Sequence, residues 1–81
     1  MINSLKEARL EVYFWQWGAA SGFYSQLFNL IGKADEGNRE RIRSGFPLEV
    51  QAWEQWFRVG QDEFFRQVRG ENEKQTLHVA R

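Results

Sequence analysis

The chain has no cysteine, one proline, one histidine and no surplus of charge of either sign. Without cysteine there is no disulfide and no thiolate zinc site, so a small domain depends on a dense apolar core or on a partner subunit. Eleven basic and eleven acidic side chains cancel. A nucleic-acid binder carries an excess of Lys and Arg, and a DNA mimic the reverse, so the balance argues against both. The lone histidine, His78, has no acidic cluster beside it. A metal site needs convergent ligands and a catalytic pair needs a nucleophile with its base, so no metal, cofactor or catalytic group is expected. The longest apolar run is only Val12–Trp15, far below the roughly 18 residues of a membrane span. The first eleven residues carry Lys6, Glu7, Arg9 and Glu11 and build no apolar signal core. The expectation is a soluble, cytoplasmic protein with no membrane partner.

What the chain has in abundance is aromatic rings. Four tryptophans, two tyrosines and seven phenylalanines make thirteen in 81 residues. A domain of this size buries only about 60–65% of its unfolded surface, while each ring asks for about 150–250 Å² of burial. Some rings are therefore expected at the surface, where Trp and Arg typically anchor partners.

The spacing predicts a small all-α, single-domain bundle of four to five short helices over residues 1–70, followed by a loose polar tail over 71–81. Ser4 and Glu7 form a capping box for a helix over 4–17. Residues 10–17 are also rich in β-formers, so a strand is the competing reading; helix is favoured because the only partner strand would be the weak Thr76–Ala80 segment. The second helix, 20–33, is amphipathic. Asp35 caps a third, 36–44, with Gly45 as its stop and an Asp35–Arg39 pair on its surface. Pro47 opens a fourth, 47–59, with Glu54 and Arg58 paired on the wet side. Asp62 caps a fifth, 62–69, which ends at Gly70. Trp53, Phe57, Phe23, Leu27, Leu30 and Ile31 read as core.

The block Phe23–Asp35, then Asn38, Arg41, Gly45-Phe46-Pro47-Leu48-Glu49-Val50, Trp53 and Trp56, resembles short uncharacterised helical proteins of bacteriophages and prophages. The shared pattern is Lys-Ala-Asp, an Asn three residues on, and Gly-Phe-Pro-x-Glu-Val. It covers somewhat under half of the chain. The resemblance implies a protein that binds a host machine, such as a CRISPR surveillance complex, another defence enzyme or RNA polymerase. It carries no catalytic residues across. The same residues also have a plain reading, as corners between helices.

Other constellations are weak. The neighbours Asp35–Glu36 and Asp62–Glu63 could form carboxylate pairs for acid–base chemistry. Both fall at predicted helix N-termini, where capping and the macrodipole explain them. No Gly-rich loop opens a helix after a strand, so no phosphate cradle is expected. Arg39 and Arg43 share a helix face from which Arg41 points away. Trp56 lies at the edge of its helix stripe, and Trp15 and Trp17 precede a glycine-rich joint that reads as mobile. Trp15, Trp17, Arg39, Arg43 and Trp56 are thus the candidate partner-binding residues. The expected function is non-catalytic: an interaction protein that binds and blocks a host protein complex. The alternative is a helix-turn-helix-like nucleic-acid-binding regulator built from the fourth and fifth helices. Self-assembly into a homo-oligomer is a third possibility.

Overall fold

The computed structural model describes residues 2–80, with side chains described for residues 2–72. Five helices follow in order: α1 (Leu5–Gln16), α2 (Gly22–Lys33), α3 (Glu36–Gly45), α4 (Pro47–Val59) and α5 (Gln61–Ala80). Among the described residues there is no strand, and no helix is long and apolar enough to cross a membrane.

Local chemistry sets most boundaries. The Ser4 hydroxyl accepts the Glu7 N–H at 3.2 Å, and the Glu7 carboxylate accepts the Asn3 N–H at 3.0 Å. That reciprocal cap decides the competition in the first segment: residues 10–16 are helical, and the supposed partner strand belongs to α5. At the other end of α1, the Gly18 N–H reaches Trp15 O and the Ala19 N–H reaches Phe14 O, with Gly18 at φ +73°. This is a Schellman closure, which satisfies the last carbonyls of the helix. These bonds tie the first two residues of the glycine-rich joint, Gly18 and Ala19, back to α1. Asp35 caps α3 by accepting the Asn38 N–H at 2.8 Å, and Pro47 occupies the first turn of α4, where its missing N–H costs nothing. Gly60, at φ +92° and ψ 158°, is the single residue between α4 and α5, a conformation open in practice only to glycine.

Two expectations at α5 need correction. Asp62 lies inside the first turn instead of capping it, because the Phe64 N–H is taken by the Gly60 carbonyl. The helix also runs through Gly70 to Ala80. An isolated glycine inside a helix costs only about 1 kcal/mol, too little to end it, and Asn72 meanwhile donates back to Val68 O at 2.8 Å. The His78 side chain lies outside the described ones.

The core draws Ala8 and Val12 from α1, Leu27, Phe28 and Ile31 from α2, Val50, Ala52 and Trp53 from α4, and Phe64, Phe65 and Val68 from α5. α4 is the central helix and packs against all four others, whereas α3 buries no residue and leans chiefly on α4. Arg9 ties three helices together. Its guanidinium donates to Gln55 of α4 and to Gln67 of α5 at 2.9 Å, and pairs with Glu71 at 3.4 Å. It also lies 4.9 Å over the Phe64 ring.

Three residues read as core lie at the surface: Phe57, Phe23 and Leu30. At about 100° per residue, the buried trio Leu27, Phe28 and Ile31 defines a direction from which Leu30 and Phe23 stand roughly a quarter-turn away. Phe57 points roughly the same way as the α4 core residues, yet the rings it meets are Trp53 and Trp56 of its own helix, and it stays mostly exposed. The penultimate residue of α2, Gly32, lies beside the Trp53 ring.

Candidate interaction surface

All thirteen rings make contacts. Eight form one continuous network: Phe46 meets Phe23, Phe23 meets Tyr24, Tyr24 meets Phe28, Phe28 meets Trp15, Trp15 meets Trp56, and Trp56 joins Trp53 and Phe57. Four more, Phe14, Tyr13, Trp17 and Phe65, form a second network where α1 meets α5. Phe64 carries the Arg9 guanidinium.

Two large rings are both prominent and firmly held. Phe57 is 70% exposed, yet its ring lies 8° from parallel with Trp53 at a centroid distance of 5.1 Å. The same indole carries the Arg39 guanidinium at 4.8 Å. Arg39 in turn donates to the Ala34 carbonyl at 3.1 Å, closing the corner between α2 and α3. Trp17, 61% exposed, stacks on Phe65 at 5.8 Å and 26°, and the Schellman closure fixes its backbone.

The sequence-derived candidates divide accordingly. Trp17 faces solvent. Trp15 is half-buried: its indole N–H donates to the Asn29 amide oxygen at 3.3 Å, and its ring packs on Phe28 and Trp56. Trp56 is half-buried with its indole nitrogen turned inside. It meets Trp15 edge-on at 5.2 Å and supports Trp53 and Phe57. Arg39 points inward onto Trp53, so the expected Asp35–Arg39 pair is replaced by the cation–π contact and the bond to Ala34 O. Arg43 is spent on a fork to Glu54, at 2.9 and 2.6 Å, and on Glu40. The Glu54 carboxyl is thereby held below its ordinary pKa, chiefly by the Arg43 hydrogen bonds. The expected Glu54–Arg58 pair gives way to this one, because Arg43 approaches from α3. Glu49, which sequence reasoning did not single out as a site, is buried in the first turn of α4, where the helix dipole favours negative charge.

The most exposed ring, Phe57, was not among these candidates. Among the described residues no group of three His, Cys, Asp or Glu side chains converges as a metal site. No family model matches the chain, and no curated protein or solved structure matches it either.

Proposed function

We propose that this chain is a non-catalytic, phage-type interaction protein that docks by its exposed rings onto a host protein complex in the cytoplasm and blocks it. Inhibition of a CRISPR or other defence effector is the sharper form of the proposal. The observation that supports it is Phe57, left in water by the monomer while held flat on Trp53. Burying such a ring against a partner is worth about 1.5–3 kcal/mol. Because the stack already restricts the side chain, little of the about 0.5–1.5 kcal/mol of ordering cost per interface side chain remains to be met. Aromatic anchors of this kind dominate measured interface energies, and the exposed Trp17 is a second anchor of the same type.

The test is affinity capture from infected or lysogenic cell extract, with the recovered proteins identified. Wild-type protein should recover a defined host complex that Phe57→Ala recovers poorly, although the variant melts nearly as the wild type does. Equal recovery by the wild type and by both Phe57→Ala and Trp17→Ala contradicts the proposal. So does recovery of nucleic acid in place of protein, or of nothing but further copies of the chain.

A further inference from the structure

Between α2 and α3 the molecule has a groove of about 430 Å³. Its apolar lining is Leu30, Ala34 and Ile42, with Leu30 53% exposed, and Asp35 and Asn38 line it as well. Lys33 stands on one wall and Arg41 on the other. The groove exists because α2 packs on α1 and α4 while α3 leans chiefly on α4. The two helices are joined at the Asp35 corner, which Arg39 closes through Ala34 O.

Two of the chain's cations line this groove. Arg9, Arg43 and Arg66 all have carboxylate partners, and Arg39 lies on Trp53. Lys33 and Arg41 form no ion pair among the described residues. The carboxylate in the groove, Asp35, is already engaged by the Asn38 N–H. Two cations thus flank a strip of uncovered aliphatic surface, with one carboxylate between them.

The geometry points to a binding site for a partner segment that sets an aliphatic side chain between carboxylates, such as one face of an acidic amphipathic helix. The aliphatic group covers Leu30 and Ile42, and the acidic residues on either side meet Lys33 and Arg41. This inference rests on the docking function proposed above and specifies the chemistry of the partner. A nucleic-acid strand suits the site less well: phosphates would meet the cations, but the lining offers no aromatic ring on which a base could stack. A two-fold contact between copies would bring the same patch against itself, setting Lys33 and Arg41 against like charges.

The experiment uses the full, isotope-labelled chain and two short synthetic peptides. In one, leucines are flanked by glutamates; in the other, each glutamate is replaced by lysine. The acidic peptide should shift the amide resonances of Leu30, Ala34, Asn38 and Ile42, and the basic one should leave them in place. Lys33→Glu combined with Arg41→Glu should weaken the acidic peptide about tenfold and admit the basic one, with the fold retained: neither side chain has an ion pair among the described residues, and reversing Lys33 in the last turn of α2 lowers the melt only slightly. Equal response to both peptides, or shifts confined to other amides, overturns the inference. So do the same shifts on adding a single-stranded oligonucleotide or on concentrating the chain alone. If Phe57→Ala abolishes capture of the host complex while the double variant captures normally, docking stands and the groove assignment fails. If the acidic peptide fills the groove but Phe57→Ala captures like wild type, the docking proposal fails instead.

Discussion

Trp53 and Phe57, one helical turn apart on α4, lie with their rings almost parallel, but the first is buried and the second is mostly in water. The boundary between core and surface therefore passes between two stacked rings. Trp53 is covered because α2 extends as far as Gly32, 3.6 Å from the indole at the Cβ a side chain there would carry. Phe57 meets the rings of Trp53 and Trp56, both on its own helix, and stays mostly exposed. The core thus holds the exposed ring in place, and that arrangement leads to separate expectations for the residues beneath and the residues above.

Beneath the surface, Trp15 and Trp56 support their neighbours. Truncating a buried aromatic to alanine costs about 3–5 kcal/mol, and these two are only half-buried. Trp56→Ala and Trp15→Ala should each lower stability by about 2–3 kcal/mol, read from denaturant melts. A loss under about 0.5 kcal/mol in both would mean the ring network contributes nothing to the fold.

Arg9 should be among the least replaceable residues. Its side chain is only 11% exposed and joins α1 to α4 and α5. Arg9→Ala removes its bonds to Gln55 and Gln67 and its stacking on Phe64, while Glu71 is itself 38% exposed, and should cost about 2 kcal/mol. Arg9→Lys should recover little, because an ammonium cannot reproduce the planar fork or its stacking on Phe64. Chemical denaturation of the two variants side by side checks this; full rescue by lysine would contradict it.

The Arg43–Glu54 pair gives a pH dependence of known sign. Glu54 has a lowered pKa in the folded state, so the pair's contribution is fully present above the unfolded carboxylate value of about 4.3. It is lost as pH falls through the lower folded value. Both side chains are about one-third exposed, and the contribution should be about 1 kcal/mol or less. Wild type should melt higher than Glu54→Gln at pH 7, and the gap should close in acid below the carboxylate range. A gap that widens in acid would reverse the assignment.

The fold was legible where local chemistry is decisive. The Ser4–Glu7 box, the Asp35 cap and Pro47 each locate a helix start without reference to the rest of the molecule. The core of α2 was half-legible: Leu27 and Ile31 follow the period, but choosing Phe28 over Leu30 as the third member depends on which way the helix is turned, and α1 and α4 decide that. Gly70 misled because a glycine signals a stop only when the chain must turn there. The surface was least legible. Trp residues attract attention as anchors, yet Trp15 and Trp56 turn inward, Arg39 and Arg43 are taken up by Trp53 and Glu54, and the most exposed ring is a phenylalanine on the core-facing side of its helix. Exposure at that position depends on which other elements pack against it, a tertiary fact with no local signature.

The most direct measurement is the affinity of the purified host complex, once captured and identified, for Phe57→Ala against wild type, with a thermal melt of each. Docking through the ring that Trp53 holds predicts binding at least about tenfold weaker, a change of about 1.4 kcal/mol or more, with the variant's stability within about 1.5 kcal/mol of wild type. Binding of equal strength by a folded Phe57→Ala would contradict it.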